Sequence, residues 1–75
     1  MTKSELANEL KKMYEGGIRR REQTTMIHLF GIKYANIIKD KGYNPKEILK
    51  YAQMPESYYT EINKGIRLAK YVEVR

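Results

Sequence analysis

Cysteine and tryptophan are absent from this chain of 75 residues, which has one histidine, one phenylalanine and two prolines. Without thiols it has no disulfide framework and no thiolate metal site, and a lone imidazole gives no histidine cluster, so neither metal nor cofactor is expected. A thiol-free chain of this kind is read as cytoplasmic. No apolar run approaches the roughly 18 residues needed to span a bilayer. The N-terminus carries no signal-like apolar stretch either, so no membrane role is expected. Catalytic signatures are missing too: there is no nucleophile elbow, no phosphate-binding glycine loop, no HExxH and no carboxylate pair with a histidine partner. So short a chain has little room for a substrate pocket, and it is read as a non-enzyme.

The composition is 41% hydrophobic and 32% charged, ordinary globular material for one domain over residues 1–75. The formal net charge is +6 and the pI about 9.6, a balance that favours polyanionic partners or serves solubility alone. The charge is uneven: residues 1–15 sum to zero, residues 16–50 to +5 and residues 51–75 to +1. The basic excess therefore lies in the middle of the chain.

Leu6, Leu10 and Met13 recur at helical spacing and predict a helix over 4–14, with Thr2 or Ser4 as cap and Glu5 three residues after Thr2. Gly16 and Gly17 end it, and residues 16–23 read as a mobile basic loop. TTMIHLF at 24–30 is short, apolar and β-branched and predicts a strand; the alternating KYVEVR at 70–75 predicts its partner in a minimal two-stranded sheet. Between them Tyr34, Ile37, Ile38 and Lys41 predict a helix over 32–41 that stops at Gly42. Asn44, Pro45 and Glu47 form a strong start signal for a helix over 45–52. After a turn at Gln53 and Met54, Pro55 opens a fourth helix, expected to be the longest, with Tyr58, Tyr59, Ile62 and Ile66 on its apolar side. The expected fold is mainly α, a bundle of about four helices beside that small sheet.

Residues 48–65, ILKYAQMPESYYTEINKG, read as helix, tight turn, helix. Such a motif needs a small residue where its helices cross, an apolar residue just past the turn and an apolar inner side on the second helix. Ala52, Met54, Tyr59 and Ile62 meet those needs. The stretch Tyr51, Ala52, Gln53, Met54, Pro55 resembles the lactose-repressor type of motif, with Gln53 where glycine often takes a left-handed backbone and Pro55 in place of a hydroxyl cap. The run from MIHLFGIKYA through SYYTEINKGIRLAKYVEVR, about two thirds of the chain, also resembles small bacterial proteins described as helix-turn-helix-like. That resemblance implies the fold and little about function.

A second motif helix lying in a major groove about 12 Å wide would turn Glu56, Ser57, Tyr58, Thr60, Glu61 and Lys64 toward bases and phosphates. Ser57 and Thr60 can bond bases or phosphates, Tyr58 a phosphate, sugar or thymine methyl, and Lys64 a phosphate. Glu56 and Glu61 repel phosphate unless they accept from a cytosine amino group. Lys46 and Lys50, with Lys39 and Lys41, are candidate sequence-independent phosphate contacts. Arg19, Arg20 and Arg21 would suit a flexible arm on phosphates or a minor groove, against the plainer reading of a solvated charged loop. Among the tyrosines, Tyr34, Tyr51, Tyr59 and Tyr71 have core-compatible spacing, while Tyr58 and Tyr43 are the contact candidates. His28, in an apolar run without a neighbouring acid, reads as structural.

The leading expectation is a duplex-DNA-binding module that regulates transcription or joins a DNA-associated assembly, as a homodimer or with a protein partner. The alternative is a protein-interaction module that keeps the helix-turn-helix shape. Single-strand binding through stacked tyrosines is a third.

Overall fold

The computed structural model describes residues 1–74 and contains four α-helices: α1 (Lys3–Ile18), α2 (Gln23–Lys41), α3 (Pro45–Tyr51) and α4 (Tyr59–Leu68), the last preceded by a 3₁₀ turn at Glu56–Tyr58. No strand occurs among the described residues, and the expected sheet is replaced by helix. Residues 24–30 form the start of α2, because Ile27, Phe30, Tyr34, Ala35 and Ile38 continue one buried stripe at three- and four-residue spacing straight through Gly31. Residues 70–74 follow α4 without pairing to any strand, and Arg75 lies outside the described residues. With the two expected segments merged, α2 is the longest helix and α4 is not.

Helix α1 starts as its sequence predicts. The Glu5 N–H donates to Thr2 Oγ1 at 3.1 Å and the Thr2 N–H donates to Glu5 Oε1 at 2.8 Å, a reciprocal capping box. It runs through Gly16 and Gly17 rather than ending there, so the predicted loop over 16–23 shrinks to residues 19–22. That turn is closed by the Arg21 N–H donating to the Ile18 carbonyl at 3.1 Å and the Glu22 N–H to the Gly17 carbonyl at 2.8 Å. This is the double bond of a Schellman ending, with Arg21 at φ 56° in the left-handed position usually given to glycine. Gly42 at φ 67° fills the same position after α2. Asn44 caps α3 through its Oδ1, which accepts from the Lys46 N–H at 2.9 Å, with Pro45 at the first position.

The core draws Leu6 and Leu10 from α1, Ile27, Phe30 and Ile38 from α2, Ile48 and Leu49 from α3, and Ile62 from α4. Burying such side chains contributes about 1.5–3 kcal/mol each, the main force holding so small a bundle. Helices α2 and α4 cross at their glycines: a Cβ on Gly31 would lie 2.5 Å from the Ile62 carbonyl oxygen and 3.0 Å from the Gly65 Cα. The paired glycines bring the two backbones together. Lys3 forms an ion pair with Glu47 and so ties the start of α1 to α3, while the Tyr43 hydroxyl donates to the Met1 carbonyl at 3.0 Å. None of the described helices is long and apolar enough to cross a membrane.

Candidate nucleic-acid interface

Helix α3, the turn and α4 form the expected helix-turn-helix. Ala52 is 3% exposed where the helices meet, Met54 and Tyr59 pack against the core, and Ile62 is fully buried. The Gln53 N–H donates to the Lys50 carbonyl at 3.1 Å and the Met54 N–H to the Leu49 carbonyl at 3.0 Å. Gln53 therefore occupies the left-handed ending at φ 56°, which the sequence pattern placed there despite the absence of glycine. Pro55 precedes the 3₁₀ turn and supplies no side-chain cap.

Ser57, Thr60 and Lys64 are exposed, and their spacing places them on one stripe. The next residue of that stripe is Arg67, also exposed; extending the three- and four-residue spacing past Lys64 would have found it. The Thr60 hydroxyl donates to the Ser57 carbonyl at 3.3 Å. Lys50, exposed and without an ion pair among the described residues, borders the same hollow as Lys46, Met54 and Glu56. Lys46 is occupied: its Nζ lies 3.7 Å from a Glu56 carboxylate oxygen and 4.5 Å from the centre of the Tyr59 ring, bridging α3 to the start of the second motif helix.

Both carboxylates that the sequence set against DNA are thus compensated. Glu56 faces Lys46. Glu61, about one-fifth exposed, pairs with His28 of α2 on one side and receives the Lys64 ammonium at 3.4 Å on the other. His28 is structural as expected, with an acid partner that lies 33 residues away in sequence. The bond from His28 holds the Glu61 carboxyl below its ordinary range; desolvation opposes it and Lys64 assists. A lowered folded pKa adds stability above the unfolded value, stability that is lost as pH falls through the folded pKa. Glu61→Gln is therefore expected to lower stability at neutral pH and to converge with the parent as the medium is acidified below the carboxylate range, read by denaturant titration along a pH series. Parallel curves across that range would refute the clamp.

The tyrosines sort differently from their spacing. Tyr34 and Tyr59 pack into the bundle, but Tyr51 is 58% and Tyr71 83% exposed, contrary to the expectation of core-edge packing. Their neighbours explain it: Tyr51 is the last residue of the short α3, and Tyr71 lies beyond the end of α4. Tyr58, expected outward, is half-buried, its ring 5.7 Å from that of Tyr14 and its hydroxyl 3.3 Å from the Tyr14 hydroxyl, a contact that raises the Tyr58 phenol pKa. Tyr43 also packs against the core. Lys39 and Lys41 lie eleven and thirteen residues beyond His28 on α2, roughly 16–20 Å along the helix at 1.5 Å per residue, away from the clamp at Glu61.

A family model described as an HTH-like domain matches residues 2–75. No curated protein and no solved structure matches the chain.

Proposed function

The chain belongs to the HTH-like domain family, and on that premise we propose that it is a duplex-DNA-binding module, acting in transcription regulation or in a DNA-associated assembly. The observation that carries this reading is the exposed stripe Ser57, Thr60, Lys64 and Arg67 on a second motif helix whose acids are already paired. Lys46 beside Glu56 and Lys64 beside Glu61 offset the repulsion that these carboxylates would otherwise exert on phosphates. Lys50 supplies a backbone contact beside it, Ser57 and Thr60 present hydroxyls to base edges or phosphates, and the half-buried Tyr58 supports the turn from beneath. The arrangement of Ala52, Gln53 and Met54 supports the lactose-repressor type of motif.

The test is a titration of labelled protein with random-sequence duplex at low and moderate salt, following backbone amides. Binding that weakens steeply with salt and perturbs residues 46–67 is the expected result. Salt-insensitive or absent binding would sink the reading.

A protein-interaction role for the same fold is favoured by a separate observation. Leu68, Tyr71, Val72 and Val74 are exposed at and just beyond the end of α4. A second copy or another protein covering them would give the module a second reading head, since one small recognition helix gives limited specificity.

A further inference from the structure

We propose that the turn Arg19–Arg21 is a second, preformed contact to the phosphates of duplex DNA, an inference that rests on the reading of α3 and α4 as the DNA-binding motif. The backbone supplies the first argument. Arg21 sits at φ 56°, in the left-handed ending of α1, where glycine is the least strained choice. A long cation held there at a conformational cost points to use of its side chain. Gly42 fills the same ending after α2 with glycine, and Gln53 fills it after α3 with a second polar side chain, inside the DNA-binding motif itself.

Charge supplies the second argument. All three arginines are exposed, and none forms an ion pair among the described residues; the Arg20 guanidinium meets only the Met26 sulfur, at 3.8 Å. The adjacent Glu22 is exposed and also makes no ion pair, leaving a local excess of two positive charges. The two backbone bonds closing residues 17–22 make the turn a fixed support rather than the flexible arm the sequence suggested.

Position supplies the third. Tyr14 on α1 packs on Tyr58 in the 3₁₀ turn that opens α4, and Arg19 follows five residues later, about 7.5 Å along the helix. His28, near the start of α2, pairs with Glu61 near the start of α4. Both contacts place the arginine turn at the end of the bundle where the recognition helix begins, beside the major groove that this helix is proposed to enter. A helix docked in that groove would bring the turn to a flanking phosphate strand, where guanidinium groups bond two oxygens at once.

The test compares the parent, Arg21→Gly, the double variant Arg19→Gln with Arg20→Gln, and Lys50→Glu on one random-sequence duplex. Affinity is measured between about 50 and 200 mM salt, and thermal melting alongside. Arg21→Gly is expected to melt at the same or a higher temperature yet bind about threefold to tenfold more weakly at the lower salt. The slope of log affinity against log salt should become shallower by about 0.9, and by about 1.8 in the double variant. Unchanged affinity and slope in both arginine variants, with Lys50→Glu weakened, would overturn this proposal and leave the motif reading standing. Absence of duplex binding by the parent would overturn both.

Discussion

Gly65→Ala is expected to lower the melting temperature by roughly 10–20 °C, measured by far-ultraviolet circular dichroism. A Cβ at Gly65 would overlap the His28 carbonyl oxygen and lie 2.9 Å from the Gly31 Cα. Both obstacles are backbone, so no rotamer change relieves them. Separating α2 from α4 would loosen Ile27, Phe30 and Ile62 together, which puts the cost at or somewhat above the top of the about 1–3 kcal/mol typical of overpacking. Alanine returns up to about 1 kcal/mol of helix propensity, leaving a net loss of about 2–3 kcal/mol. For a domain of this size each kcal/mol is worth about 4–8 °C. Gly16→Ala provides the opposite sign: it lies within α1 with nothing within 4 Å of the added carbon, and should stabilise by about 0.5–1 kcal/mol. If Gly65→Ala melts within a few degrees of the parent, the two helices do not approach as closely as described.

That crossing also marks where the sequence misleads. Gly31 reads as a break and TTMIHLF before it as a strand, since a seven-residue run, apolar or β-branched except at His28, does not separate period two from period 3.6. The purpose of Gly31 is visible only once Gly65, 34 residues later, lies against it. Local signals fared better: the Thr2–Glu5 box, the Asn44–Pro45 start and the Gly42 stop each act within a few residues, and all three form as read. The helix-turn-helix was legible for the same reason, with Ala52 and Met54 only two positions apart. Its charge state was not. Glu61 looked like an acid facing DNA because His28 is distant in sequence, and Lys46 looked free because its partners Glu56 and Tyr59 lie across the turn. Tyr58 reads as outward from its helical position, and only the approach of α1 supplies Tyr14 to cover it.

Those pairings decide which lysine is the cleanest probe of the proposed DNA face. Reversing Lys46 would also release Glu56 and the Tyr59 ring, so lost binding could reflect a disturbed turn. Reversing Lys64 would place a carboxylate three residues from Glu61, leaving the bond to His28 as that acid's one remaining contact among the described residues. Lys50 has neither entanglement. Lys50→Glu is therefore expected to keep stability within the roughly ±0.5 kcal/mol usual for surface changes. It should weaken duplex binding about tenfold to a hundredfold at low salt, the worth of a charge-assisted bond of about 1.5–3 kcal/mol. The salt slope should become shallower by about one. Lys64→Glu should weaken binding too, with a loss of stability that Lys50→Glu does not share, because it sets a like charge three residues from the Glu61 that bonds His28. Folded variants of both that bind duplex as tightly as the parent would remove α3 and α4 as the docking face, and the pairing of Glu56 and Glu61 would then serve the fold alone.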